Sequence, residues 1–241
     1  MNDRPACTVG VTKYTKYINN ILTNQNEKCI MIKVLITEGG ILVKNPIITI
    51  SREFGSGGRE AGTIVAQKLN IPYYDNALIT IAAKKSGFVE ELFEQADQKP
   101  TGSLLYSLSM FGAGMSSLEL PLNDKIFLIQ SDIIKEVAAQ GPCVIVGRCA
   151  DYVLRDTQNV VNFFLYGDLE ARTAFAVKER DLPSAKAAEA VAKYDKRRAS
   201  YYHYYTGKKW GEAKTYHLCM DTTQLTPEKT AEVILQYVSL L

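Results

Sequence analysis

Histidine is scarce in this 241-residue sequence, with only His203 and His217, and no Cys-x-x-Cys pair occurs. A histidine-rich metal site or a zinc site is therefore not expected. The five cysteines, Cys7, Cys29, Cys143, Cys149 and Cys219, are odd in number and irregularly spaced, which argues against a disulfide framework. They read as buried or idle thiols of a reducing, cytoplasmic compartment. No apolar run approaches the roughly 18 residues that a membrane helix needs. The opening "MNDRPACTVG" lacks a basic region followed by an apolar core, so no signal peptide is expected. Charge of one sign is not in excess either: Lys and Arg number 28 against 26 Asp and Glu, a net charge of +2. That balance excludes nucleic acid and membrane surfaces as the main partner. Any strongly basic site must be local.

What is present is the composition of an ordinary globular chain, 46% hydrophobic and 22% charged. Residues 1–45 read as a leader, polar up to about residue 30, with Met31 as an alternative start. The run "IMIKVLITEGGILVK" suggests a β-hairpin about Gly39-Gly40. Residues 46–241 form the expected domain, large enough to build a proper core. "PIITIS" predicts a buried parallel strand, and "REAGTIVAQKL" a helix, with Ile64, Val65 and Leu69 at helical spacing. "IPYYDNALITIAAKKSG" predicts a short strand, then a helix from about Asn76 to near Gly87. Residues 97–122 are rich in Gly, Ser and Pro and read as a mobile or inserted segment. "NDKIFLIQSDIIKEVAAQG" predicts an amphipathic helix capped by Asn123 or Asp124, with Gly141 just past its end.

"CVIVG" and "VVNFFLYG" supply two more strands, and Asp168 to Arg180 and Ala185 to about Tyr205 two more helices. "YHLCMD" is a last strand. The closing helix is capped by Thr226 with Pro227 in its first turn. Strands alternating with helices predict a three-layer αβα domain with a mostly parallel sheet.

The stretch "ITISREFGSGGREAG" carries the chemistry. Gly55, Gly57 and Gly58 surround Ser56 between a strand and a helix. Glycines there let successive N–H groups turn into one concavity, to which the helix adds its positive end. A tight turn with no ligand is the plainer alternative. Against G-x-x-x-x-G-K-[ST], Gly58 as the second glycine puts Glu53 at the first, Arg59 at the lysine and Glu60 at the hydroxyl. Arg59 retains a charge and a planar fork suited to phosphate. Glu60 would repel a polyphosphate unless a metal bridges them or an arginine neutralises it, with Arg52 and Arg59 as candidates.

Together with "IPYYDNALI", "VIVGRCADYVL", "DKRRASYYHYYTGKKWG" and "YHLCMDTTQL", this loop resembles the cytidylate kinase-like branch of the nucleoside monophosphate kinases. The resemblance runs from about Ile47 to the C-terminus. It implies a P-loop NTPase-like domain with a helical lid over about residues 168–212. It implies ATP as donor, Mg²⁺ as cofactor, and small-molecule nucleotide substrates. Gly55, Ser56, Gly57, Gly58, Arg59 and Glu60 would wrap the donor phosphates. The family's Gly-Arg-Asp stretch appears as Gly147-Arg148-Cys149, which passes acceptor binding to Arg148, with Asp151 close by and Asp75 at the start of the acceptor-binding subdomain. The family's D-x-x-R pattern matches Asp195 to Arg198, with Arg197 adjacent and Arg172 and Arg180 on the preceding helix. Arg198 and Arg197, with Arg59, would stabilise the transferring phosphoryl group.

Asp75 reads equally as a cap for the helix that follows. Tyr201, Tyr202, Tyr204 and Tyr205 read as packing, with base stacking the alternative. Trp210 is expected to anchor the lid's return. The resulting expectation is ATP-dependent phosphoryl transfer to CMP or dCMP. Its rivals are a non-catalytic nucleotide-binding protein on a kinase fold and a kinase for a different small phosphorylated acceptor.

Overall fold

The computed structural model describes residues 46–75, 121–180 and 182–241. The expected hairpin, the helix from Asn76 and nearly all of segment 97–122 lie outside them. The chain divides into two units. Val43–Ile79 with Ser131–Leu241 holds the sheet; of the other, only residues 121–130 are described.

Five strands make the sheet: β1 (Ile47–Arg52), β2 (Tyr73–Tyr74), β3 (Val144–Val146), β4 (Val160–Tyr166) and β5 (Leu218–Asp221). Their order is β2-β3-β1-β4-β5, and every pairing is parallel. The apolar runs of β1, β3 and β4 suit strands covered on both faces. Ile48 stands opposite Val144 and Val161, and Ile50 opposite Val146 and Phe163. On that face they pack with Ala61, Val65 and Ala66 of α1 (Gly58–Leu69) and Ala231, Ile234 and Val238 of α6 (Pro227–Ser239). Ala61 and Val65 lie four residues apart with Ala66 beside them, and Ala231, Ile234 and Val238 three and four apart, so each set forms one helix face. Residues of the alternate parity face the other way. There Phe164 meets Trp210 and Tyr216, with ring centroids 5.2 and 5.0 Å apart. Trp210 thus fixes the chain returning from the long helix, as expected.

Helix α2 (Leu122–Ala139) starts one residue before Asn123. Asn123 and Asp124 therefore lie inside its first turn, and the Pro121 carbonyl accepts from the Asp124 and Lys125 N–H groups. A short helix α3 (Ala150–Val153) follows β3, and α4 (Leu169–Arg180) follows β4. A 3-10 turn at Ser184–Lys186 leads into α5 (Ala187–Thr206). The Thr226 hydroxyl accepts from the Lys229 N–H at the start of α6, with Pro227 in its first turn. In this order the chain leaves β1 toward β2 on one side and leaves the adjacent β4 toward β5 on the other. Open parallel sheets bind ligands at the carboxyl ends of the strands beside such a reversal. The glycine loop leaves β1 there, and Gly147-Arg148-Cys149 leaves β3.

Candidate active site

Gly55 and Gly57 have φ of 80° and 71°, values that L side chains adopt at a cost. A Cβ on Gly55 would also run into the Arg172 carbonyl. Ser56 is buried, and its hydroxyl donates to the Glu53 carbonyl at 2.9 Å. Behind the loop, the Thr222 hydroxyl donates to the Ser56 carbonyl at 3.1 Å. Gly57 at the N-cap offers no side-chain acceptor, so the first N–H groups of α1 have no side-chain cap and suit an anion. A glycine cradle opening onto a helix start fits the phosphates of a nucleotide.

The loop is held in shape by two residues from the helices that follow β4. The Phe54 N–H donates to Asp195 Oδ1 at 2.7 Å. Arg172 Nη1 donates to Asp195 Oδ2 at 2.6 Å and to the Phe54 carbonyl at 2.9 Å. Arg172 Nε donates to the Gly167 carbonyl at 2.8 Å and pairs with Glu53 Oε2 at 3.1 Å. Glu53 also accepts the Gly167 N–H. Burial raises the Glu53 carboxyl, against the pull of that N–H and of Arg172. The Phe54 ring stacks on Tyr194, centroids 4.4 Å apart, with the Arg198 guanidinium 5.3 Å from its centre. Arg172 is buried and lines neither of the cavities described next. Expected as lid residues, Arg172 and Asp195 sit here as anchors of the loop.

A first cavity, of about 240 Å³, is bounded by the loop from Arg52 to Glu60 and by Asp75, Phe175, Arg180 and Arg198. Two of its arginines, Arg59 and Arg180, are gripped by carboxylates. Arg59 meets Asp75 at 2.6 Å, and Asp75 lines this cavity beside the glycine loop and not the second one. Arg180, at the end of α4, pairs with Glu60. The arginine that neutralises Glu60 is therefore neither Arg52 nor Arg59: the Arg59 side chain turns to Asp75 beyond β2. Glu60 Oε2 is buried without a hydrogen-bond partner among the described residues. No group of three or more His, Cys, Asp or Glu side chains is gathered for a metal among the described residues. A divalent ion here would rest mainly on phosphate oxygens, with Glu53, Glu60 and Asp75 as the carboxylates on the cavity wall.

A second cavity, of about 260 Å³, is walled by Arg148, Arg197 and the aromatic Tyr194, Tyr201, Tyr202 and Trp210. None of its described lining residues is Asp or Glu. Gly147, Arg148 and Cys149 are all left-handed, with φ of 86°, 55° and 54°. Two non-glycine residues there store strain of about 1–2 kcal/mol each. The Arg148 guanidinium lies 5.5 Å from the centre of Tyr201. Asp151 lines neither cavity. It is buried in the first turn of α3, where Tyr202 donates to its Oδ2 at 2.6 Å. Burial raises its carboxyl, and that hydrogen bond opposes the rise. Cys149 is buried too, its thiol pushed up to about 12.

Arg52 and Arg198 line both cavities. Arg198 Nη1 donates to the Arg52 carbonyl at 3.0 Å. Burial, then the Arg198 charge, push Arg52 down to about 9, and burial lowers Arg198 as well. From the sequence, Arg52 enters only as a candidate to neutralise Glu60, not as a wall of both cavities. The available signal was a basic residue at the last position of the central strand, where the sheet opens.

Both the sheet order and the loop assign the protein to the P-loop class of α/β phosphate-binding folds. Residues 47–224 match the model of the cytidylate kinase-like family, and the chain belongs to that family. Its chemistry at this level is phosphoryl transfer, with no acceptor specified. Among solved structures, the chain resembles an uncharacterized protein from Eubacterium ventriosum ATCC 27560 at 26% identity and a TM-score of 0.61, covering 80% of this chain and 98% of that one. It also aligns with shikimate kinase from Bacteroides thetaiotaomicron (14% identity, TM-score 0.45, 80% and 98% covered). A gluconokinase from Sinorhizobium meliloti 1021 aligns at 11% identity and a TM-score of 0.46, with 81% and 95% covered. Likenesses as distant as these last two carry nothing about substrate. A search among curated proteins finds no match.

Proposed function

We propose that the protein transfers the γ-phosphoryl group of ATP to a nucleoside monophosphate, with CMP or dCMP the first candidates. The observation that carries this is a pair of adjoining cavities sharing Arg52 and Arg198 as common wall. One is a phosphate cradle, and the other is rich in arginine and aromatic rings. Transfer needs two phosphates in line and charge stabilisation between them, which suits arginines on a shared wall. Gly55, Ser56, Gly57 and Gly58 hold the donor phosphates, and Arg59 reaches them from its contact with Asp75. Arg148 takes the acceptor phosphate, with Tyr201 or Trp210 beside the base. Arg198, with Arg197 at the second cavity, acts on the group in flight. Bound Mg²⁺ would offset charge on the donor oxygens. In this reading residues 46–241 are the kinase domain, about 168–212 its lid, and the compartment is the cytoplasm.

A kinase for a different phosphorylated acceptor is the second reading, favoured by the absence of any carboxylate from the described lining of the second cavity. The test is ADP formation from ATP and Mg²⁺ with CMP, dCMP, UMP, AMP or no acceptor. Turnover with CMP or dCMP supports the proposal. Turnover with another monophosphate alone moves the reading to that acceptor. ATP binding without turnover on any acceptor sinks transfer to nucleoside monophosphates.

A further inference from the structure

The geometry points to Arg52 as the cation that replaces the phosphate-loop lysine, reaching both phosphates from the end of the central strand rather than from the helix start. This rests on the reading of the two cavities as donor and acceptor sites.

The loop's own geometry sets the register. Gly57 is the left-handed N-cap and Gly58 the first residue of α1. Taking Gly57 as the second glycine of G-x-x-x-x-G-K-[ST] puts Arg52 at the first glycine and Gly58 at the lysine. The two positions have exchanged the small residue and the cation. They also touch: a Cβ on Gly58 would lie 2.9 Å from Arg52 Cβ and 3.0 Å from its Cγ. The Arg52 stem therefore lies along the space that any side chain at 58 would enter.

At its far end the guanidinium lies against Gly147, where a Cβ would run into Nη1. The side chain thus spans from the glycine loop to the turn after β3, and it borders both cavities. Arg59, by contrast, lines only the first cavity, is half exposed and is held by Asp75.

The Arg52 guanidinium forms no ion pair with a carboxylate of the described residues; Arg198 repels it most, Asp75 attracts it from a distance, and Arg148 adds a smaller repulsion. Guanidinium groups keep their protons in proteins. The cost of gathering these charges is therefore relieved by an anion, and the one both cavities share is the phosphoryl group in transfer. Lysine at the helix start would serve the donor alone. Arginine from the strand end presents a fork with two faces.

The test compares wild type, Arg52→Ala, Arg52→Lys and Arg59→Ala by calorimetric titration with Mg·ATP, then with inorganic phosphate in the presence of saturating ATP. Thermal melting is run in parallel. Arg52→Ala should lose about tenfold or more in both titrations, the usual scale for a charged hydrogen bond to phosphate. Arg52→Lys should keep most of the ATP affinity, and Arg59→Ala should lose ATP affinity only. If Arg52→Ala fails to melt cooperatively, the exchange variant Arg52→Gly with Gly58→Lys decides. It should bind ATP within about tenfold of wild type, because the lysine regains the space the arginine stem vacates. Affinities within twofold of wild type in Arg52→Ala, or an exchange variant that folds and binds no ATP, would overturn the assignment. Absent turnover with every monophosphate sinks the proposed function instead, while these affinities still decide Arg52.

Discussion

The two cavities differ in how their charges are held. In the first, Arg59 is gripped by Asp75 and Arg180 by Glu60. In the second, the described lining brings arginines together with aromatic rings and no carboxylate. A paired cation is already oriented, and it meets an incoming anion without first creating a buried excess of charge. A wall of arginines with no carboxylate on it gains more when an anion arrives, even with Asp195 attracting Arg198 from behind. The first arrangement suits binding, and the second suits stabilising charge that is in motion.

That contrast can be broken most severely at Arg198, which borders both cavities. Arg198→Ala should lower kcat by roughly 10²–10³-fold, the scale for removing one preorganised donor, with KM for ATP changed far less. An equal rise in KM would erase the difference between the two kinds of arginine. Next in size is the paired Arg59. Arg59→Ala should weaken ATP binding by about tenfold, and Asp75→Asn should weaken it less, since the guanidinium stays but loses its guide. Titration of both with Mg·ATP checks this, and a larger loss in Asp75→Asn would make the carboxylate the principal group.

The smallest effect concerns Asp151, sealed behind the second cavity. Its pKa is raised by burial, partly offset by the Tyr202 hydrogen bond. A carboxyl raised in the folded state binds more protons folded than unfolded. Its contribution to stability is therefore greatest below the ordinary value of 3.8 and is lost as pH climbs through the folded value. Asp151→Asn should flatten that part of the melting-temperature curve. Tyr202→Phe, which strips the carboxylate of its donor, should lower Tm at pH 7 by about 2–4 °C. An unchanged curve in Asp151→Asn would mean that the carboxyl is not the buried acid described.

The strands and the last helix were legible because their signals are local. Apolar runs, a Thr-Pro cap and helical spacing act within a few residues. The start of α2 was misplaced by two good capping residues, because a carbonyl at Pro121 precedes them. The loop was legible as a phosphate cradle, but the partners of its charged residues were not. Glu60 meets an arginine 120 positions away, and Phe54 is fixed by an aspartate 141 positions away. Nothing in the wording of "REFGSGGRE" reveals such pairings. Arg52 was legible only as a possible partner of Glu60, because the textual pattern fits in two registers and only the helix start at Gly58 chooses between them.

The hold of α4 and α5 on Phe54 has a consequence for how this loop can be inherited. Backbone amide, backbone carbonyl and ring are each claimed from outside, by Asp195, Arg172, Tyr194 and Arg198. The glycine loop is thus no portable cassette. Transplanted into another sheet without those helices, the same letters would lose the scaffolding that curls them, so loop and distant helix can only be exchanged, or drift, as one piece.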